Sequence, residues 1–102
     1  ALLVPVMPRI GVRYDDFDSF FAELGHALRF TSPYNVAGNP AAIGCGGFAA
    51  NGLPIGFQLI GPHLSEGALL RAMHAFQQAT DFHLKRPPLN CPPNETEGRP
   101  EP

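Results

Sequence analysis

Residues 55–60 read Ile-Gly-Phe-Gln-Leu-Ile, a run that is apolar almost throughout and is entered through Asn51-Gly52-Leu53-Pro54. Such a run suits a strand covered on both faces, because a strand with one wet face alternates apolar and polar residues. Asn-Gly tolerates positive φ at both positions and is a strong turn signal. The strand Pro54 to Ile60 is therefore expected to pair, across that turn, with the apolar stretch Ala41 to Ala49. A central, doubly covered strand restricts the chain to folds that lay helices over a sheet.

Helical periods supply the cover. Phe17, Phe20, Phe21, Leu24 and Leu28 fall on one face of a helix running from Asp15 to Arg29, the spacing of an amphipathic stripe. Asp15 or Asp16 is placed to cap it, and Asp18 suits its first turn. A second helix runs from Ser65, read as its N-cap, to about His83, with Leu69, Met73, Phe76 and Thr80 inward and Pro87-Pro88 closing it. Thr31 to Pro40 reads as a connector with room for one short helical turn, tied down by Asn35 and Asn39. Leu2-Leu3-Val4, ended by Pro5, is a further buried strand. The fold class is α/β: two to three strands, one hairpin-like pair among them, under two main helices. Leu3, Phe57, Leu59, Met73 and Phe76 are expected to face a shared core.

Residues 1–88 form this unit, and residues 89–102 form a Pro-rich tail expected to be disordered. Charged residues make up 16% of the chain, well below the usual quarter or so. A small domain has much surface to cover, so part of this one is expected to lie against other protein. The apolar run begins at the second residue with no polar lead-in, which raises the expectation of further chain before Ala1. The net charge of −2 argues against a nucleic-acid partner. No apolar run approaches the ~18 residues of a bilayer span, so no membrane partner is expected. Cys45 and Cys91 do not make a disulfide framework, and a reducing, cytoplasmic setting is expected.

Reactive chemistry is sparse. Gly44-Cys45-Gly46-Gly47 resembles a loop that presents backbone N–H groups to an anion beside a nucleophilic thiol. No spacing identifies a base for Cys45, and a strand end packed close to another element accounts for the glycines. His26, His63, His74 and His83 form no metal-ligand spacing, with His74 and His83 on opposite sides of the last helix. Lys85 is the only lysine and has no prospect of the burial that would make it a base. Ser19, Ser32 and Ser65 lie outside nucleophile motifs. Asp15, Asp16 and Asp18 open a helix, and Glu95 and Glu97 lie in the tail. No catalytic, cofactor-binding or metal-ligating residue is assigned, and no cofactor is expected.

Several motifs in order carry a resemblance. Phe30-Thr31-Ser32-Pro33-Tyr34-Asn35-Val36-Ala37-Gly38-Asn39-Pro40-Ala41 is similar to the "FTxPFNxxGxPA" stretch near the C-terminus of amidase-signature hydrolases. Asn51 to Gly61 resembles that family's "GLPVGLQLIG", Glu66 to Phe76 its "EATLLRAAHAYE", and Ala79 to His83 its "ATDWH". The resemblance covers residues 1–88. It implies a large mixed sheet between helices and hydrolysis of amide C–N bonds by a Ser–cisSer–Lys triad. That triad and its Gly/Ser-rich loop belong to the N-terminal and central parts of the family's proteins, so no catalytic residue carries over to a position here. The chain departs from the family at Cys45, where proline is usual, at Gly46, where cysteine is usual, and at Val6, where threonine is usual. A glutamate common late in the last helix is Gln77 or Gln78. The resulting expectation is a structural C-terminal segment, inactive alone. Its partners would be the remainder of an amidase fold or a second copy. The alternative is a non-catalytic module that pairs through open sheet edges.

Overall fold

The computed structural model describes residues 1–88. The expected tail over residues 89–102, with Cys91, Glu95 and Glu97, lies outside the described residues. Three strands form one antiparallel sheet: β1 (Leu2–Pro5), β2 (Ala41–Phe48) and β3 (Pro54–Ile60), in the spatial order β1-β3-β2. The apolar run read as central is central. β3 pairs with β1 from Leu2 opposite Ile60 to Pro5 opposite Phe57, and with β2 from Ala41 opposite Ile60 to Phe48 opposite Pro54.

The β2–β3 hairpin turns where Asn-Gly predicts. Gly52 takes φ 82°, its amide donates to the Ala49 carbonyl at 2.8 Å, and the Asn51 side chain accepts from the Leu53 amide at 3.2 Å. A bulge interrupts β2 between Cys45 and Gly47. Gly47 sits there at φ 151°, a conformation open to glycine and costly for other residues.

α4 (Glu66–Ala79) lies over the sheet face that carries Phe57 and Gly44. Phe57 and Phe76 meet edge-to-face with ring centroids 5.0 Å apart. A Cβ on Gly44 would collide with Met73 and stand 3.1 Å from the Phe57 ring, so the helix and the aromatic ring occupy the space a side chain would need. The opposite face carries Gln58 and Ile60, both buried. The Gln58 amide donates to the carbonyl of Phe30 at 2.6 Å and to that of Pro5 at 3.2 Å. Those two bonds fasten the segment after the early helices to the sheet.

Several local expectations are corrected. The helix expected from Asp15 to Arg29 is broken into a 3-10 turn (Tyr14–Asp16), α1 (Phe17–Ala22) and α2 (Leu24–Ala27). The break falls at Glu23, whose amide bonds back to Phe20 at 3.1 Å while its own carbonyl accepts from His26 at 2.9 Å. These are short, 3-10-type bonds, and Gly25 just beyond adds nothing to helix stability. The aromatic stripe forms, with Phe17 and Phe21 4.8 Å apart, but both rings are exposed. Asp15 and Asp16 do not cap: Asp15 takes a two-pronged bond from Arg13 at 3.0 Å, and Asp16 bonds Arg9 at 3.4 Å.

Ser65 occupies the N-cap position of α4, yet its hydroxyl donates to the Pro62 carbonyl at 2.6 Å and caps no helix amide. α4 also stops at Ala79, short of His83. Thr80 bonds its hydroxyl back to the Phe76 carbonyl at 2.9 Å and turns extended at φ −138°, ψ 164°. His83 consequently lies in a separate 3-10 turn (Phe82–Leu84), not across the helix from His74. The connector does contain one short helix, α3 (Ser32–Ala37), closed by Gly38 at φ 71°. Asn39 ties it to the sheet by donating to the Gly61 carbonyl at 3.0 Å. Among the described residues no helix is long and apolar enough to cross a membrane.

Candidate functional site

The residues singled out for chemistry are dispersed. Cys45 is half-buried at the bulge, and its thiol donates to the Gly47 carbonyl at 3.2 Å. Among the described residues no basic side chain is hydrogen-bonded to it. Its neighbours Gly44 and Gly46 both press on the Phe57 ring, so the glycine cluster serves packing rather than an open anion cradle. Lys85 is exposed and pairs with Asp81 at 3.0 Å. That bond holds the Asp81 carboxyl below the ordinary carboxylate range, with the lysine charge adding to the effect. Arg13 does the same to Asp15 through their hydrogen bonds.

His63 donates from Nε2 to the Ala37 carbonyl at 2.8 Å, a link between the loop before α4 and the end of α3. His26, His74 and His83 are exposed, and no cluster of three potential metal ligands exists among the described residues. Ser19 is exposed on α1, Ser32 begins α3, and Ser65 is committed to Pro62. No serine hydroxyl is hydrogen-bonded to Lys85 among the described residues.

What the fold brings together is an apolar groove. Leu3, Pro5, Phe57, Leu59, Ala72 and Phe76 line it between β1 and α4, around a volume of about 650 Å³. Leu3, expected to face a shared core, points into this groove and is 68% exposed, so this chain alone does not cover it. Phe57, Leu59, Met73 and Phe76 are half-buried on the same side. Beside the groove the sheet stops at β1, and at the far side it stops at β2. Gln58 is a fastening residue that sequence reasoning missed. The available signal was a lone amide inside an apolar strand, which must find partners if buried.

A family model described as Amidase matches residues 1–70. The chain belongs to the amidase family. This amidase segment is also similar to curated proteins. It is 55% identical over 82 residues to the glutamyl-tRNA(Gln) amidotransferase A-subunit of Halalkalibacterium halodurans, a match covering 79% of this chain and 16% of that protein. It is 41% identical over 100 residues to the protein of the same name from a Synechococcus species, covering 93% of this chain and 18% of the relative. The putative amidase AmiD of Mycobacterium bovis is 51% identical over 59 residues, or 58% of this chain and 12% of its own length. The chain thus spans less than a fifth of the length of these relatives. No solved structure matches it significantly.

Proposed function

We propose that this chain is a structural segment of an amidase-signature amide hydrolase and does not hydrolyse amides by itself. The observation that carries this is the match of an Amidase family model to a chain whose only lysine is exposed and bound to Asp81. A lysine that is to serve as a base must be neutral at working pH, which needs burial or a neighbouring cation. Lys85 has an anion beside it, which favours its charged form. The family's Ser–cisSer–Lys machinery is supplied by the rest of the parent protein. This segment contributes three strands and a covering helix, in a reducing, cytoplasmic setting, with no cofactor of its own. The pure chain is expected to leave a simple aryl amide intact. Turnover that a serine-directed inhibitor abolishes would sink this reading.

A second reading is supported by the sheet. Both outer strands end the sheet among the described residues, and exposed strand edges invite pairing with another chain. On this reading the chain is a non-catalytic module that joins an amidase partner or a second copy of itself.

A further inference from the structure

We propose that the free edge of β2 pairs with the same edge of a second copy of this chain, antiparallel and two-fold, with Ile43 opposite the partner's Ile43. The inference rests on the second reading above and names the edge, the occupant and the register. Two backbone bonds fix which groups are free. The Gly61 amide donates to the Pro40 carbonyl at 3.1 Å. Antiparallel alternation then turns the backbone of Ala42 and Gly44 toward β3 and leaves the N–H and C=O of Ala41, Ile43 and Cys45 pointing outward. On the other side, the Val6 amide donates to the Gly56 carbonyl at 3.3 Å. By the same alternation Leu3 and Pro5 are the outward residues of β1.

The two edges are not equivalent. Pro5 has no N–H to offer, and its carbonyl is taken by Gln58. That leaves Leu3 alone on a strand of four residues, a blunted edge of the kind that resists addition. The Ala41–Cys45 stretch of β2 has no proline and no charge, and its outward groups repeat at every second residue. The bulge after Cys45 ends that regular stretch. A short uncharged ladder symmetric about Ile43 complements its own copy. Ala41 would meet the partner's Cys45, and Ile43 would meet its equivalent, without opposing like charges. Ile43 is 62% exposed, so pairing also covers an apolar side chain. A two-fold axis normal to the sheet keeps both α4 helices on one face.

Light scattering on the full chain, across a wide concentration series, should show the mass rise from 11.0 kDa to twice that value. Ile43→Lys alone and Ile43→Glu alone should each stay at 11.0 kDa, because like charges then face each other across the axis. Mixed together they should regain the doubled mass, since opposite charges now face. Leu3→Lys, on the blunted edge, should leave the doubled mass in place. Circular dichroism confirms that each variant is folded, and Ile43→Thr replaces any that is not, with weakened association expected. A wild-type chain that stays monomeric overturns the proposal, as does a dimer indifferent to both charges or a mixture that stays monomeric. None of these masses bears on amide turnover, so failure here is distinguishable from failure of the inactive-segment reading.

Discussion

Gln58 stands in the middle of the central strand, 2% exposed, with both of its side-chain bonds made to backbone carbonyls of other segments. A buried amide without partners is expensive, and so is a buried carbonyl left without a donor. Gln58→Leu keeps the volume and removes both donors, so urea unfolding should show a loss of about 1–3 kcal/mol. Gly44 makes the opposite demand. Any Cβ there meets Met73 and Phe57, and Gly44→Ala should cost about 1–3 kcal/mol by overpacking, read from the same urea midpoint. Asp81 sets a pH dependence. Its carboxyl is lowered in the folded chain by Lys85, so the pair's contribution is present above the ordinary carboxylate pKa of about 3.9. That contribution is lost as pH falls through the lowered value. An NMR titration of the Asp81 carboxyl should place its midpoint below that of the Asp81 carboxyl in the urea-unfolded chain.

The elements differ in how far their own sequence decides them. The hairpin is local: Asn51-Gly52 and two apolar runs suffice, and Gly52→Ala at φ 82° should cost about 1–2 kcal/mol for left-handed strain, measured by thermal unfolding. α4 is local in its stripe and not in its end. Leu69, Met73 and Phe76 fall inward as their period requires, whereas the stop at Thr80 comes from a hydroxyl bonding back to Phe76, one of two options open to any threonine in a helix. The early helical region shows the limit of period reading. Five apolar residues at helical spacing mark a face, and that face is only worth forming as one continuous helix if something covers it. Here Phe17 and Phe21 remain exposed, and the segment breaks at Glu23.

For the molecule as a whole, little is fully enclosed. Ala27, Ile60 and Leu69 are the buried hydrophobic residues among those described, and the largest apolar groove lies open beside β1. An environment-sensitive dye such as ANS should bind the folded chain, since it reports exposed apolar surface. Leu3→Ser should reduce that binding while shifting stability by no more than about 0.5 kcal/mol, as for a surface position. Unchanged dye fluorescence would place the exposed surface elsewhere.

Periodicity and turn chemistry were enough to give the α/β class, the central strand from Pro54 to Ile60, the hairpin and the inner stripe of α4, because each depends on neighbours within a few residues. The motifs from Phe30 to His83 carried the family, which the Amidase match then showed. Only the tertiary structure could decide that Gln58 joins two distant segments, that Gly44 makes room for Met73, and that Leu3 is left uncovered. It also decided which of two sheet edges is blunted, since that turns on which way a backbone N–H points across a ladder. Those outcomes rest on distances between residues far apart in the chain, and such distances leave no mark on a local pattern.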